Sequence, residues 1–152
     1  MDPWVAPYLR VLEDLRAQLL DAVRGLDDAQ LNRAVPGLRN TAGMVLRHVA
    51  GSERYWVGEV AGGRPAHRDR EAEFGPDPVR KTEVLAEIDR VAAATRQVLE
   101  RLAAADLMHE VEVRRAQGTG RETKAGALLH AIQHLAYHLG QIRYLVKLLQ
   151  TP

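Results

Sequence analysis

Residues 128–149 read LLHAIQHLAYHLGQIRYLVKLL, one long helical run carrying His130, His134 and His138 four positions apart. At about 3.6 residues per turn the three histidines fall on one stripe. Around His134 lie Ala127, Ala131, Ile142 and Leu145, with Leu128 and Leu135 at the edge of the sector. Arg143, Lys147 and Gln150 take the opposite side. The histidines therefore sit on or beside the buried stripe, with small alanines next to them. A buried imidazole must satisfy both ring nitrogens. Three along one apolar stripe need several partners, or one shared cation.

Three more helices precede this one. Leu9, Leu12, Leu15, Leu19, Val23 and Leu26 recur at helical spacing, with Arg16, Asp21 and Arg24 between them. That predicts a helix over about 3–25, opened by Asp2 and Pro3 and bent near Pro7. Asp27 or Asp28 can cap a short turn through Leu31, before Pro36 and Gly37 break the chain. Asn40 can cap a second long helix, TAGMVLRHVAGSERYWVGEVA, stopped by Gly62 and Gly63. Residues 64–79, charged and rich in proline and glycine, form a loop long enough to cross the length of a bundle. Thr82 or Asp77 opens a third helix over about 79–104, striped by Val84, Leu85, Ile88, Val91, Val98, Leu99 and Leu102. Residues 105–123 alternate and then turn at GTGR, which fits a hairpin or an extended loop. Thr123 caps the last helix, over about 124–149. The expectation is an all-α fold: a four-helix bundle in one domain spanning 1–152, with a long crossover loop between the second and third helices.

Composition narrows the function. The 152 residues carry a formal net charge of +1, and 18 arginines and 3 lysines are interleaved with 20 acidic residues. A mixed, solvated surface of this kind gives no support for nucleic acid or an anionic membrane as partner. Cysteine is absent, which removes disulfides, thiolate metal sites and a protein-borne thiol nucleophile. The N-terminal stretch does not read as a signal peptide, and no apolar run approaches the ~18–20 residues of a membrane span. The expected location is the cytoplasm.

His48 lies in the second long helix on a face with Thr41, Met44, Val45, Ser52 and Tyr55. This largely inward stripe is polar where a plain core would carry leucine. One histidine from this helix and two from the last can give three nitrogen ligands, leaving coordination positions open for water or substrate. Neighbouring histidines on the last helix are about 6 Å apart along the axis, from the ~1.5 Å rise, so His130 and His138 are too distant to share one ion. The pair is 130/134 or 134/138, and the angles alone do not choose.

The blocks NTAGMVLRHVAGSERYW and HAIQHLAYHLGQIRYL resemble the DinB family of small metal-binding four-helix bundles. Members carry a histidine in that second-helix context. Their last helix carries two histidines four apart, the second followed by x-Gly-Gln-Ile, as in His138-Leu139-Gly140-Gln141-Ile142. The resemblance implies His48, His134 and His138 as metal ligands, with His130 outside that set. One departure is Gln133, where members often have glutamate. The resemblance further implies a divalent transition metal (nickel, zinc, iron or manganese), a homodimer, and activities such as thiol transfer with a low-molecular-weight thiol, isomerisation or hydrolysis.

Ser52, Tyr55, Tyr137 and His130 are the residues that could touch a substrate or support the ligands. Trp56 reads as packing, Glu53 and Glu59 as surface, and His67 and His109 as solvated or structural. A zinc-protease motif is absent, because His130 and His134 are followed by Ala131 and Leu135 and not by glutamate. The Glu-x-x-His pairs of a di-metal bundle are absent too. Gly118 and Gly120 mark a turn, not a phosphate loop. Three readings remain: a metal-dependent S-transferase or hydrolase acting on a small molecule, a non-catalytic metal- or ligand-binding bundle serving a stress response, and a structural dimerisation bundle with bare histidines.

Overall fold

The computed structural model of the chain describes residues 1–115 and 117–150. Helix α1 spans Ala6–Val23, a short α2 Asp28–Asn32, α3 Ala42–Glu53, a one-turn α4 Arg70–Glu73, α5 Lys81–Arg101 and α6 Lys124–Gln150. Strands β1 (Glu110–Arg115) and β2 (Gly118–Thr123) pair antiparallel, with Val113 opposite Gly120. The molecule is thus mostly helical, and the expectation of an all-α chain is amended by this ribbon. Its charged alternation and Gly-rich turn suit a hairpin and not a helix.

Local chemistry sets the helix boundaries. Asp27 accepts from the Gln30 backbone N–H while Gln30 returns a bond to Asp27 N–H, a capping box on α2. Thr41, not Asn40, caps α3 through its hydroxyl and Met44 N–H. Thr123 accepts from Gly126 N–H at the start of α6. Helix α5 begins after Arg80, two residues before the candidate Thr82 and three after Asp77, and no side chain caps it. Pro7 stands in the first turn of α1, where its missing N–H costs nothing, so it starts the helix and does not bend it.

Helix α1 packs against α5 and α6, and α3 also packs against α5 and α6. Their facing leucines, valines and isoleucines form one connected apolar cluster, each fully buried side chain contributing about 1.5–3 kcal/mol. Arg16 departs from the sequence reading. It occupies the inward stripe of α1 with Leu9, Leu12, Leu19 and Val23, and is 6% exposed. Its guanidinium meets Glu53 at 2.5 Å, and Glu53 also accepts from the Thr95 hydroxyl at 2.6 Å. Glu53 is therefore a core residue, which corrects its reading as surface. A carboxylate reaches this depth only because a cation and a hydroxyl satisfy it there.

After Glu53 the helix widens. Arg54–Ala61 is π-helical, as in the bond from Gly62 N–H to Val57 O. The widened turn ends at Gly62, whose neighbour Gly63 has φ +68°, open to glycine at little cost. The crossover segment that follows is held by α3 itself. Arg47 donates to the carbonyls of Glu73, Asp77 and Gly75 at 2.8, 3.2 and 2.9 Å. Asn32 bonds both backbone groups of Val79. These anchors fix α4 over the middle of α3. Among the described residues no helix is long and apolar enough to cross a membrane.

Candidate metal centre

His48 on α3 and His134 and His138 on α6 converge at the packed face of these two helices. One ring nitrogen from each lies within 4.8 Å of the other two. His134 Nε2 is 2.9 Å from His48 Nε2 and 3.1 Å from His138 Nε2. Of the two pairs open to the sequence, 134/138 meets His48. His130 stands a turn further along α6, its ring 6.1 Å from that of His134, and packs instead on Trp56 at 4.0 Å.

The outer nitrogens of His48 and His138 are committed. Glu73 places Oε2 2.7 Å from His48 Nδ1. An ionised carboxylate only accepts, so His48 Nδ1 carries a proton and Nε2 is the nitrogen left to face the other two histidines. Gln141 Oε1 lies 2.7 Å from His138 Nδ1, and the Gln141 amide nitrogen donates to Tyr137 Oη at 3.1 Å. This orientation of the amide assigns the proton of His138 to Nδ1 as well. The Nε2 atoms of His48 and His138 thus both face His134 Nε2, which can donate one proton at most. The residual nitrogen–nitrogen contact is a repulsion that a cation at this point would remove. The donor set fits a divalent metal held by three imidazoles, two of which, His48 and His138, have their far nitrogens oriented by hydrogen-bond partners.

The charge states agree. Burial lowers the pKa of His134 to about 2, reinforced by His138 and His48. Burial also lowers His138 to about 4, opposed in part by its bond with Gln141. Both rings stay neutral and able to donate lone pairs. Burial alone would raise the pKa of Glu73, but the bonds from Arg68 and His48 outweigh it and hold the carboxyl below its ordinary value. Arg68 clamps that carboxylate with two bonds, Nε to Oε1 at 2.7 Å and a terminal nitrogen to Oε2 at 2.9 Å.

Glu73 and Arg68 had not been singled out in the sequence. Both lie in the charged crossover segment, where one acidic residue among several carries no periodic signal. The positive φ of 45° at His67, rare for a residue other than glycine, turns the chain just before Arg68. His67 itself is exposed, as is His109, 3.5 Å from Asp106.

A cleft of about 360 Å³ opens beside the histidines. Ser52, Tyr55, Trp56, His130 and His134 line its wall, with Arg68, Arg70, Arg114 and Arg115 around them. Of the small residues near the histidines, Ser52 lines the cleft. Ala127 and Ala131 are buried in the core, and Thr41 caps α3. Trp56 both packs and lines the cleft. Tyr137 is 63% exposed and lies outside the lining, meeting His138 edge to face at 5.1 Å and through Gln141. The Tyr55 hydroxyl accepts from Arg114 N–H at 2.6 Å and donates to Arg114 O at 3.1 Å, tying β1 to the π-helical turn. Glu59, read as surface, is half-buried at the same junction, accepting from Ala66 N–H and pairing with Arg114. Burial, then the charge of Arg115, lowers the pKa of His130.

These helices, with a histidine on α3 and a pair on α6 facing a cleft, define a three-histidine helical protein. The sequence model of the DinB superfamily matches residues 12–142, and the chain belongs to that superfamily. A crystal structure described as the conserved protein of locus from Enterococcus faecalis has a similar fold, with a TM-score of 0.72 at 15% identity, covering 98% of each chain. No curated protein matches the sequence.

Proposed function

We propose that His48, His134 and His138 hold a divalent transition metal and that the chain is a metal-dependent S-transferase or hydrolase acting on a small molecule in the adjoining cleft. In this reading α1, α3, α5 and α6 form a DinB-type four-helix bundle comprising one domain, working in the cytoplasm as a homodimer. The partner is a small molecule, with an external low-molecular-weight thiol as co-substrate, and not nucleic acid or a membrane. The observation that carries the reading is the convergence of the Nε2 atoms of His48 and His138 on His134 Nε2, at 2.9 and 3.1 Å.

A cation held there supplies Lewis acidity, which favours the deprotonated form of a thiol or water brought to it. The protein's own residues supply the rest. Glu73 and Gln141 fix the ring orientations of His48 and His138. Trp56 and His130 give a flat wall for the substrate, and Ser52 offers a hydroxyl at its floor. The absence of cysteine is compatible with a thiol that comes from outside.

A specific observation favours the second reading, a non-catalytic binding bundle of the stress-response kind. Glu73 is saturated by Arg68 and His48, and the Tyr55 hydroxyl is engaged by the β1 backbone. Neither is free to move a proton. The test is elemental analysis of untagged protein, wild type beside His134→Ala, followed by titration of the metal-loaded protein with bacillithiol and mycothiol. Stoichiometric metal in the wild type alone, with saturable thiol binding, supports the enzyme. Metal without thiol binding favours the second reading, and absence of metal from both proteins removes both.

A further inference from the structure

The cleft is lined by guanidinium groups from two separate segments. Arg68 and Arg70 enter from the crossover segment, Arg114 and Arg115 from β1. A second hollow of about 270 Å³ is lined by Tyr55 and the same four arginines, so the cationic wall extends beyond the space next to the histidines. Arg68 is paired with Glu73, Arg114 with Glu59 and Arg115 with Glu122. None of these carboxylates lines either space. They orient the guanidiniums from behind and leave the cleft free of negative charge.

Arg70 lies over the Phe74 ring at 5.4 Å and forms no ion pair among the described residues. Arg115 stands over Trp56 at 5.8 Å, and Arg68 over Tyr55 at the same distance. Stacking holds a guanidinium in place while its edge N–H groups remain available. Each guanidinium carries five donors, more than one carboxylate uses. Four cations to three carboxylates leave an excess of positive charge around the cleft. A neutral ligand would leave those donors to water, whereas an anion would meet them with charge-assisted bonds. The chain as a whole has a formal charge of only +1, so the asymmetry belongs to this face.

We infer that the molecule brought to the three-histidine centre carries an acidic group, a carboxylate or a phosphate, recognised by Arg70 and Arg115 at the mouth of the cleft. This rests on the proposed metal centre and names the class of its substrate. One end of the ligand offers a donor to the centre, and the acidic end lies between the crossover segment and the hairpin. The combined space suits a small molecule and not a polymer.

The test is calorimetric titration of the zinc-loaded full chain at low salt with mercaptosuccinate and with its dimethyl ester, which keeps the thiol and loses both charges. The acid is expected to bind at least about tenfold more tightly than the ester, the ratio of one charge-assisted hydrogen bond. In Arg70→Gln/Arg115→Gln protein that ratio should fall toward one, with zinc content unchanged. Rising ionic strength should weaken the acid alone. Succinate and inorganic phosphate, as competitors, tell carboxylate from phosphate preference. Equal binding of acid and ester, or a ratio unmoved by the double substitution, overturns the inference while leaving the metal centre standing. If zinc fails to bind, the proposed function fails, and succinate and phosphate are titrated into the metal-free protein. Arginine-dependent binding then supports acid recognition by itself, and no binding overturns it. Circular dichroism of the variant separates lost recognition from lost folding.

Discussion

Glu73 packs on the bare backbone of Gly51, where a Cβ would come within 2.6 Å of the carboxyl carbon. That carboxylate is the partner of His48, three residues earlier on the same helix. Gly51 therefore leaves the gap through which the crossover segment reaches the histidines. Replacing it with alanine raises helix propensity by about 1 kcal/mol, but the added methyl meets a group pinned by Arg68 and His48. The clash wins. Gly51→Ala is expected to displace Glu73 and weaken metal affinity by about 10–100-fold, the usual effect of losing a ligand's orienting partner. Competition against a chromogenic chelator measures it, and an unchanged affinity would show that Glu73 does not orient His48.

The two candidate pairs on α6 separate by substitution. His134→Ala should remove stoichiometric metal, because His134 Nε2 is the point on which the other two rings converge. His130→Ala should retain it, since that ring is stacked on Trp56. Elemental analysis of both variants decides. Loss of metal from His130→Ala would shift the centre up the helix.

Acid should weaken the metal-free fold in a definite window. The folded-state pKa values of His134, about 2, and His138, about 4, lie below the ordinary imidazole value. Between those values and about 6.5 the unfolded chain binds protons that the fold does not. Stability is therefore full above about 6.5 and declines as pH falls from there, through about 4 for His138 and about 2 for His134. Chemical denaturation of metal-free protein between pH 7.5 and 5 should show this slope, and His138→Ala should flatten it. A flat wild-type profile over that range would contradict the assignment. Between pH 7.5 and 5 most carboxylates are still ionised, so they contribute little to the slope.

Arg16 and Glu53 form an ion pair between α1 and α3, each less than a tenth exposed. Glu53→Gln leaves the arginine buried without its counter-charge and should cost about 3–5 kcal/mol. Thr95→Val removes one hydrogen bond to the same carboxylate and should cost about 1 kcal/mol. Replacing both Arg16 and Glu53 with leucine should recover much of the loss, since well-packed apolar groups often substitute for a buried pair. Denaturant midpoints for the single and double variants measure the coupling. Additive losses would mean that the two side chains do not interact.

The hairpin depends on one phenol. Tyr55→Phe removes both bonds to the Arg114 backbone and should speed amide exchange through Glu110–Thr123 without lowering metal content. Unchanged exchange would assign the anchoring to the Arg114–Glu59 pair instead.

The helices were legible because their signal is local. Leu9, Leu12, Leu19 and Val23 repeat at helical spacing, and Thr123 stands where a cap belongs, so α1 and α6 can be drawn from the chain alone. The stripe of histidines was legible for the same reason. Arg16 and Glu53 were not, because a charged residue on an apolar stripe looks solvated until its partner is known, and that partner is 37 positions away.

The sequence by itself determined which imidazoles were available, the helices that carry them, and the absence of any thiol to compete. It also narrowed the pair on α6 to two choices, since helical rise forbids the third. Tertiary structure alone decided that His48 meets 134 and 138, that Glu73 and Arg68 stand behind it, and that four arginines ring the cleft. Those facts depend on how α3 packs against α6 and where the crossover segment lands. Such contacts join residues far apart in sequence, and no spacing rule along the chain encodes them.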